Sequence, residues 1–334
     1  MPHASKTIAV LGNGGFGTAL ACLADANGHS VRLWGFEKEY TERTARERIN
    51  PRFLPGVHLA ESIEILTDAQ RACDGADLLL LVIPTQFIRG AMAAIGEFLP
   101  AQVPIVSCAK GMEEATGLLP TQILGDCLGE RRFYVLSGPC HAEELARGMP
   151  AVVVLAGEEG PELVELQNTI AGPSFRIYRS SDPIGVEYGG ALKNIIAIAA
   201  GMCDGLGLGD NAKSALLTRG LFEMSEIGSA LGADRTTFSG LAGIGDLITT
   251  SISPHGRNRA LGERIGKGET LADVLATTRK VSEGVWTTRA VLEKAREKGI
   301  ELPIAKAVAG VLFDQVPAEL MWKQLMGRLL REES

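Results

Sequence analysis

An apolar run of strand length, Thr7-Ile8-Ala9-Val10-Leu11, passes directly into Gly12-Asn13-Gly14-Gly15-Phe16-Gly17, and a helix-forming segment follows at once. The glycines at 12, 14 and 17 form a G-x-G-x-x-G triplet. In a strand–turn–helix unit each has its own task. Gly12 permits the tight turn, Gly14 lets backbone approach a pyrophosphate that a side chain would block, and Gly17 lets helix and strand pack closely. The N–H groups that open the helix then face the anion. Placed between a strand and a helix, the triplet predicts a dinucleotide site; the plain alternative is a glycine turn.

With 334 residues the chain is long enough for two domains with real cores. Its 46% hydrophobic and 22% charged residues are the balance of a soluble globular enzyme. A net charge of -7 argues against a broad nucleic-acid surface, while leaving room for a local basic pocket. The first strand begins soon after Met1, so no signal peptide is expected. The longest apolar runs, Ala76 to Pro84 and Ile195 to Met202, are too short for membrane insertion. Six scattered cysteines without a C-x-x-C pair suit a reduced, cytoplasmic protein, and no metal site is expected.

Strand-like and helix-like segments alternate through the first half. Thr7 to Leu11 reads as the first strand, Phe16 to Asn27 as a helix closed by Gly28, and Ser30 to Trp34 as the second strand. Ala76 to Ile83 carries Leu or Val at every position from Leu78 to Val82, the two-faced apolar pattern of a central parallel strand, and Pro84 stops it. Val103 to Cys108, Phe133 to Ser137, Val152 to Ala156 and Phe175 to Tyr178 read as further strands. The alternation predicts an α/β doubly wound sheet with ligands at the carboxyl ends of its strands.

Beyond Ser180-Ser181-Asp182-Pro183 only helix-period segments follow: Gly185 to Met202, Ala212 to Leu231, Arg257 to Ile265, Leu271 to Ala276, Trp286 to Lys298, Ile304 to Phe313 and Pro317 to Leu330. Residues 1–180 are therefore assigned to a dinucleotide-binding domain and residues 181–334 to an all-α substrate domain. Gly205-Leu206-Gly207-Leu208-Gly209 follows a helix rather than a strand, so it reads as a helix-to-helix connection and not a second phosphate loop.

A hydride-transfer enzyme also needs a group that exchanges a proton with the substrate oxygen. Lys110 and the corner Gly138-Pro139-Cys140-His141 each lie just past a strand, where both should open onto one crevice; the alternative for Lys110 is a solvated loop lysine. Lys193 is odder, because it sits with Asn194 on a segment that is apolar on all sides. A lysine there needs polar partners or a wet site, unless its stem lies along the helix and its head reaches solvent. Asp246 follows Gly243-Ile244-Gly245 and serves either as a functional acid or as a helix N-cap. Arg257 opens the next helix, where two planar donors beside free N–H groups make a phosphate seat.

Taken together, these residues make the chain resemble the NAD(P)-dependent glycerol-3-phosphate dehydrogenases of the bacterial type, essentially from end to end. The segments that carry the likeness are Gly12 to Ala21, Asn50-Pro51-Arg52-Phe53-Leu54-Pro55-Gly56, Lys110-Gly111, Ser137-Gly138-Pro139, Gly189-Gly190-Ala191-Leu192-Lys193-Asn194, Leu241 to Leu247 and Gly256-Arg257-Asn258-Arg259. The resemblance implies a Rossmann-type N-terminal domain, a helical C-terminal domain and an active site between them. It implies reversible hydride transfer between NAD(P)H and dihydroxyacetone phosphate, giving sn-glycerol 3-phosphate for phospholipid synthesis. Carried over by position, Lys193 is the catalytic, proton-exchanging lysine, and Lys110 is shared by nicotinamide and substrate. Gly138, Cys140, Asp246, Gly256, Arg257 and Asn258 complete the implied substrate set. Gly12, Gly14, Gly15, Phe16, Gly17, Phe36, Lys110, Ala142, Arg257, Val281 and Glu283 form the cofactor set.

Cys140 stands where the family usually has serine or threonine; a thiol donates poorly, so backbone N–H is the expected contact there. Glu37 would favour a free ribose 2′-hydroxyl, whereas Arg43 and Arg46 would suit a 2′-phosphate, so NAD(H) and NADP(H) both stay open. Two rivals keep the same architecture: a hydroxy-acid dehydrogenase, and a non-catalytic dinucleotide sensor. A homodimer is expected from apolar residues such as Leu216-Leu217 and Leu221-Phe222.

Overall fold

Strands that are apolar on both faces need cover on both sides, and here alternate side chains feed two separate cores. The computed structural model describes residues 4–278 and 281–327. Its strands are β1 (Thr7–Leu11), β2 (Ser30–Trp34), β3 (Ile49–Asn50), β4 (Leu54–His58), β5 (Glu64–Leu66), β6 (Leu78–Leu81), β7 (Ile105–Ser107), β8 (Phe133–Ser137), β9 (Ala151–Ala156) and β10 (Phe175–Ser180). Eight of them form one sheet in the order β10-β9-β8-β7-β6-β1-β2-β5, and β3 and β4 form a small antiparallel hairpin. Ile8, Val10, Leu78 and Leu80 face one core, while Ala9, Leu11, Leu79 and Leu81 face the other.

The helices on this sheet are α1 (Gly15–Ala26), α2 (Lys38–Glu47), α3 (Ala69–Cys73), α4 (Ile88–Ile95), α5 (Pro120–Leu128), α6 (Ala142–Leu145) and α7 (Pro161–Ile170). All neighbouring strands in the large sheet run parallel except β8 and β9, which pair antiparallel with Leu136 opposite Leu155. The only helix between those two is the four-residue α6, too short to carry the chain back for a parallel return. The order reverses between β1 and β6, the switch point at which doubly wound sheets bind ligands.

The helical part comprises α8 (Pro183–Leu206), α9 (Gly209–Ala230), α10 (Asp246–Ile252), α11 (Arg257–Gly266), α12 (Leu271–Thr277), α13 (Glu283–Lys298), α14 (Pro303–Phe313) and α15 (Ala318–Met326). The last helix was expected to reach Leu330, but residues 328–330 lie outside the described ones. Gly207 (φ 67) and Gly209 (φ 81) turn the chain between α8 and α9. The chain forms two compact units: Met1–Lys110 with Leu118–Glu187, and Gly111–Gly117 with Tyr188–Ser334. Among the described residues no helix is long and apolar enough to cross a membrane.

Candidate active site

In the first unit the glycine loop joins β1 to α1, and Gly12, Gly15 and Gly17 each have a steric reason. Gly12 has φ 121, and a Cβ there would stand 2.8 Å from the Val82 carbonyl oxygen. A Cβ on Gly17 would collide with the Gly12 carbonyl, and one on Gly15 would lie 2.6 Å from the Phe53 carbonyl oxygen. Open space surrounds Gly14, which caps α1 with no side-chain hydrogen bond and no acid in the first turn. That combination fits a pyrophosphate. Phe16 and Ala142 are half-buried against the same core, and Ala142 Cβ lies 3.6 Å from the Cβ position of Gly15.

Hydrogen bonds tie this loop to α2 and to β3. Asn13 Nδ2 donates to Thr41 Oγ1 (3.0 Å), and Asn50 Nδ2 donates to the Asn13 carbonyl (2.8 Å) and to Thr18 Oγ1 (2.7 Å). Phe36 is 74% exposed and meets the Trp34 ring edge-on. Glu37 accepts from Arg52, whereas Arg43 and Arg46 both lean on Glu47. The cation beside Glu37 is therefore Arg52, contributed by the turn of the β3–β4 hairpin.

Past β7 and β8 the structure brings together Lys110, Gly138 and Cys140. Lys110 Nζ donates to the Gly138 carbonyl (2.8 Å) and lies 3.9 Å from Cys140 Sγ, and that thiol donates to the same carbonyl (3.1 Å). The solvated-loop reading of Lys110 does not survive, since the side chain is half-buried and bonded. Burial pushes the neighbouring Cys108 thiol far up, so it stays protonated.

In the second unit the central feature is Lys193 on α8, 5% exposed. Its Nζ donates to Asp246 Oδ1 (2.7 Å) and to Thr250 Oγ1 (2.5 Å). The approach is set one turn earlier on both sides. A Cβ on Gly189 would lie 2.5 Å from the Ala242 carbonyl oxygen, so glycine there lets α8 come close to the segment that precedes Asp246. That segment, Leu241–Gly245, is a turn of π-helix running straight into α10. Asp246 thus sits inside a continuous helical run, 2% exposed, with Gly245 in the cap position. N-capping is not its task, and Lys193 does not reach solvent along its stem.

Small residues bring α11 equally close to α8. A methyl group on Gly201, Gly205, Gly262 or Gly266 would strike the facing backbone. The contact places buried Asn258, which donates to Asn194 Oδ1 (2.9 Å) and accepts from the Gly284 N–H (3.1 Å). Gly256 caps α11, no acid occupies its first turn, and Arg257 is the exposed first residue. Glu283 opens α13 and is buried, and Val281 is half-buried before it. Of the sequence-derived set in this unit, the structure brings Lys193 and Asp246 into direct contact, and Asn258 bonds Asn194, the residue that follows Lys193 in the chain.

Two participants escaped the sequence reading. Thr250 follows Asp246 by four residues on one helix face, a spacing that signals it. Arg52 gave no local signal, because a hairpin carries it to Glu37. Of the apolar residues behind the expected homodimer, Leu217 and Leu221 are half-buried. Leu216 is buried within the chain, and the half-buried Phe222 ring is covered by Arg219 and Arg235. Among the described residues no cluster of His, Cys, Asp or Glu could hold a metal ion.

Residues 7–161 match the family profile described as NAD-dependent glycerol-3-phosphate dehydrogenase N-terminus, and residues 182–323 match the C-terminus of the same family. The glycerol-3-phosphate dehydrogenase (NAD(P)+) of Geobacter sulfurreducens is 42% identical over 332 residues, covering 98% of this chain and 99% of that one. Its counterpart in Fusobacterium nucleatum is 42% identical over 323 residues, with 96% of each covered. The crystal structure of glycerol-3-phosphate dehydrogenase from Coxiella burnetii superposes with a TM-score of 0.93 at 33% identity, covering 97% of this chain and 99% of that one.

Proposed function

Because the chain belongs to the NAD-dependent glycerol-3-phosphate dehydrogenase family, we propose that Lys193 is the proton-exchanging group in its interconversion of dihydroxyacetone phosphate and sn-glycerol 3-phosphate. The protein is an NAD(P)-dependent oxidoreductase acting on a CH–OH group. The observation that carries the role of Lys193 is its interior ammonium group, held by Asp246 and Thr250.

The nicotinamide, when bound, supplies or takes up the hydride. In the reducing direction the ketone oxygen gains charge, which the Lys193 ammonium stabilises before one of its N–H bonds breaks and an O–H bond forms. Asp246 and Thr250 fix Nζ, so the proton starts from a defined point. In the oxidising direction a neutral Lys193 amine takes the hydroxyl proton. Arg257 and the uncapped N–H groups of α11 hold the phosphate, with Gly256 and Asn258 beside them. Lys110, Gly138 and Cys140 supply further substrate contacts. The glycine loop, Phe36, Ala142, Val281 and Glu283 contact the cofactor. The product feeds phospholipid synthesis in the cytoplasm, and the enzyme works as a homodimer.

A steady-state assay with dihydroxyacetone phosphate and each reduced cofactor tests this. Lys193→Ala should lower kcat by about a thousandfold with cofactor binding kept, the middle of the range for loss of a general acid. Oxidation should rise with pH more steeply than reduction. Turnover of 2-keto acids but not of dihydroxyacetone phosphate, or a Lys193→Ala variant of unchanged kcat, would overturn the assignment.

A further inference from the structure

The end of β2 carries a charge arrangement that neither the proton centre nor the phosphate seat uses. Arg52 Nη1 donates to both carboxylate oxygens of Glu37, at 2.7 Å each. The guanidinium is not loose: its Cζ lies 4.1 Å from the Tyr40 ring centroid and 5.4 Å from that of Phe53. Tyr40 is itself held, donating to Asn50 Oδ1 (2.5 Å) and accepting from the Arg52 N–H (3.1 Å). Asn50 in turn bonds the glycine loop through the Asn13 carbonyl. Glu37, Lys38, Tyr40, Arg43 and Arg52 line a pocket of about 420 Å³ beside this network. An unbroken hydrogen-bonded path thus runs from the pyrophosphate loop to the Glu37–Arg52 pair.

We infer that the Glu37–Arg52 pair selects NAD(H) over NADP(H), with Glu37 accepting from the ribose hydroxyls and holding the one stacked guanidinium that a 2′-phosphate would need. The inference rests on the glycine loop being the dinucleotide seat. A ribose diol donates two O–H groups, and a carboxylate is an acceptor-only partner for them. A 2′-phosphate brings about two negative charges to the same place, repels Glu37, and finds Arg52 already neutralised. Replacing Glu37 by serine removes the repulsion and releases a guanidinium that Tyr40 keeps in position.

The test is a fluorescence titration of full-length protein with NADH and with NADPH in the absence of substrate, alongside kcat/KM for both with dihydroxyacetone phosphate. Wild type should favour NADH by about thirtyfold, the size of a carboxylate–phosphate repulsion across a few ångström of partly screened medium. Glu37→Ser should bring the ratio to about one or below by tightening NADPH, and adding Arg52→Met to that variant should remove the gain. Arg52→Met alone should leave NADH favoured. Equal affinities in wild type, or a Glu37→Ser ratio that does not move while NADH still binds, would overturn the inference and leave the proposed reaction standing. Selective NADH binding without turnover of dihydroxyacetone phosphate would support the inference and sink the proposed reaction.

Discussion

Taking an ammonium and a carboxylate out of water costs several kcal/mol per ion, and their attraction returns little more than that. Lys193 and Asp246, both nearly inaccessible, therefore add little to stability, and their use is chemical. Removing one partner is a different matter. Asp246→Asn leaves the ammonium buried against a neutral amide and should destabilise the protein by about 3 kcal/mol. Urea unfolding measures the loss, and kcat should fall with it. Thr250→Val removes a hydroxyl that accepts from Lys193 Nζ and donates to Asp246 Oδ1 (3.3 Å), and should cost about 2 kcal/mol. Lys193 was legible because a lysine and an asparagine interrupt an apolar helix. Its alternative, a head group reaching solvent, could be discarded only once Asp246 appeared beside it.

At the scale of elements, α8 does two things. Six residues before Lys193 it carries Glu187, whose carboxylate accepts from the Thr121 N–H (2.9 Å) and hydroxyl (2.5 Å) at the start of α5. Burial pushes this carboxyl up from 4.5 to about 7, against the pull of the Thr121 hydrogen bonds. A folded state that holds the proton more tightly than the unfolded chain is favoured below pH 4.5 and loses that advantage as pH rises through about 7. The window is worth on the order of 3 kcal/mol. Glu187→Gln keeps an acceptor and a donor for Thr121 and cannot ionise. It should be more stable than wild type at pH 8 and show a flatter pH dependence of unfolding between pH 5 and 8, read by urea melts. An unbroken apolar run made the central strand legible, since Leu78 to Leu81 face two cores in turn. The two-residue β3, the three-residue β5 and the antiparallel sense of β9 were not legible, because such short pairings are set by their partners and not by their own pattern.

At the scale of the molecule, the chain leaves its first unit at Lys110, contributes Gly111–Gly117 to the second, and returns at Leu118. That segment is held along α13: the Met112 N–H donates to Thr287 Oγ1 (3.4 Å), and Glu114 pairs with Arg289 (2.6 Å). No composition change marks this excursion. The exposed apolar residues of α10 and the turn before it are Ile244, Ile248 and Ile252, spaced four apart and 36%, 43% and 61% exposed. The proposed homodimer would cover this row. Light scattering at micromolar concentration should give twice the mass of one chain, and Ile248→Glu with Ile252→Glu should give the monomer; a wild-type monomer would end the proposal.

The sequence by itself determined the glycine loop, the α/β-then-helical order and the candidacy of Lys193, because each is written in neighbouring residues. Only the tertiary structure decided that Asp246 and Thr250 hold Lys193, and that Arg52 rather than Arg43 or Arg46 holds Glu37. Those pairings join residues 53, 57 and 15 positions apart. No local pattern records such a meeting, since it depends on how closely whole elements pack.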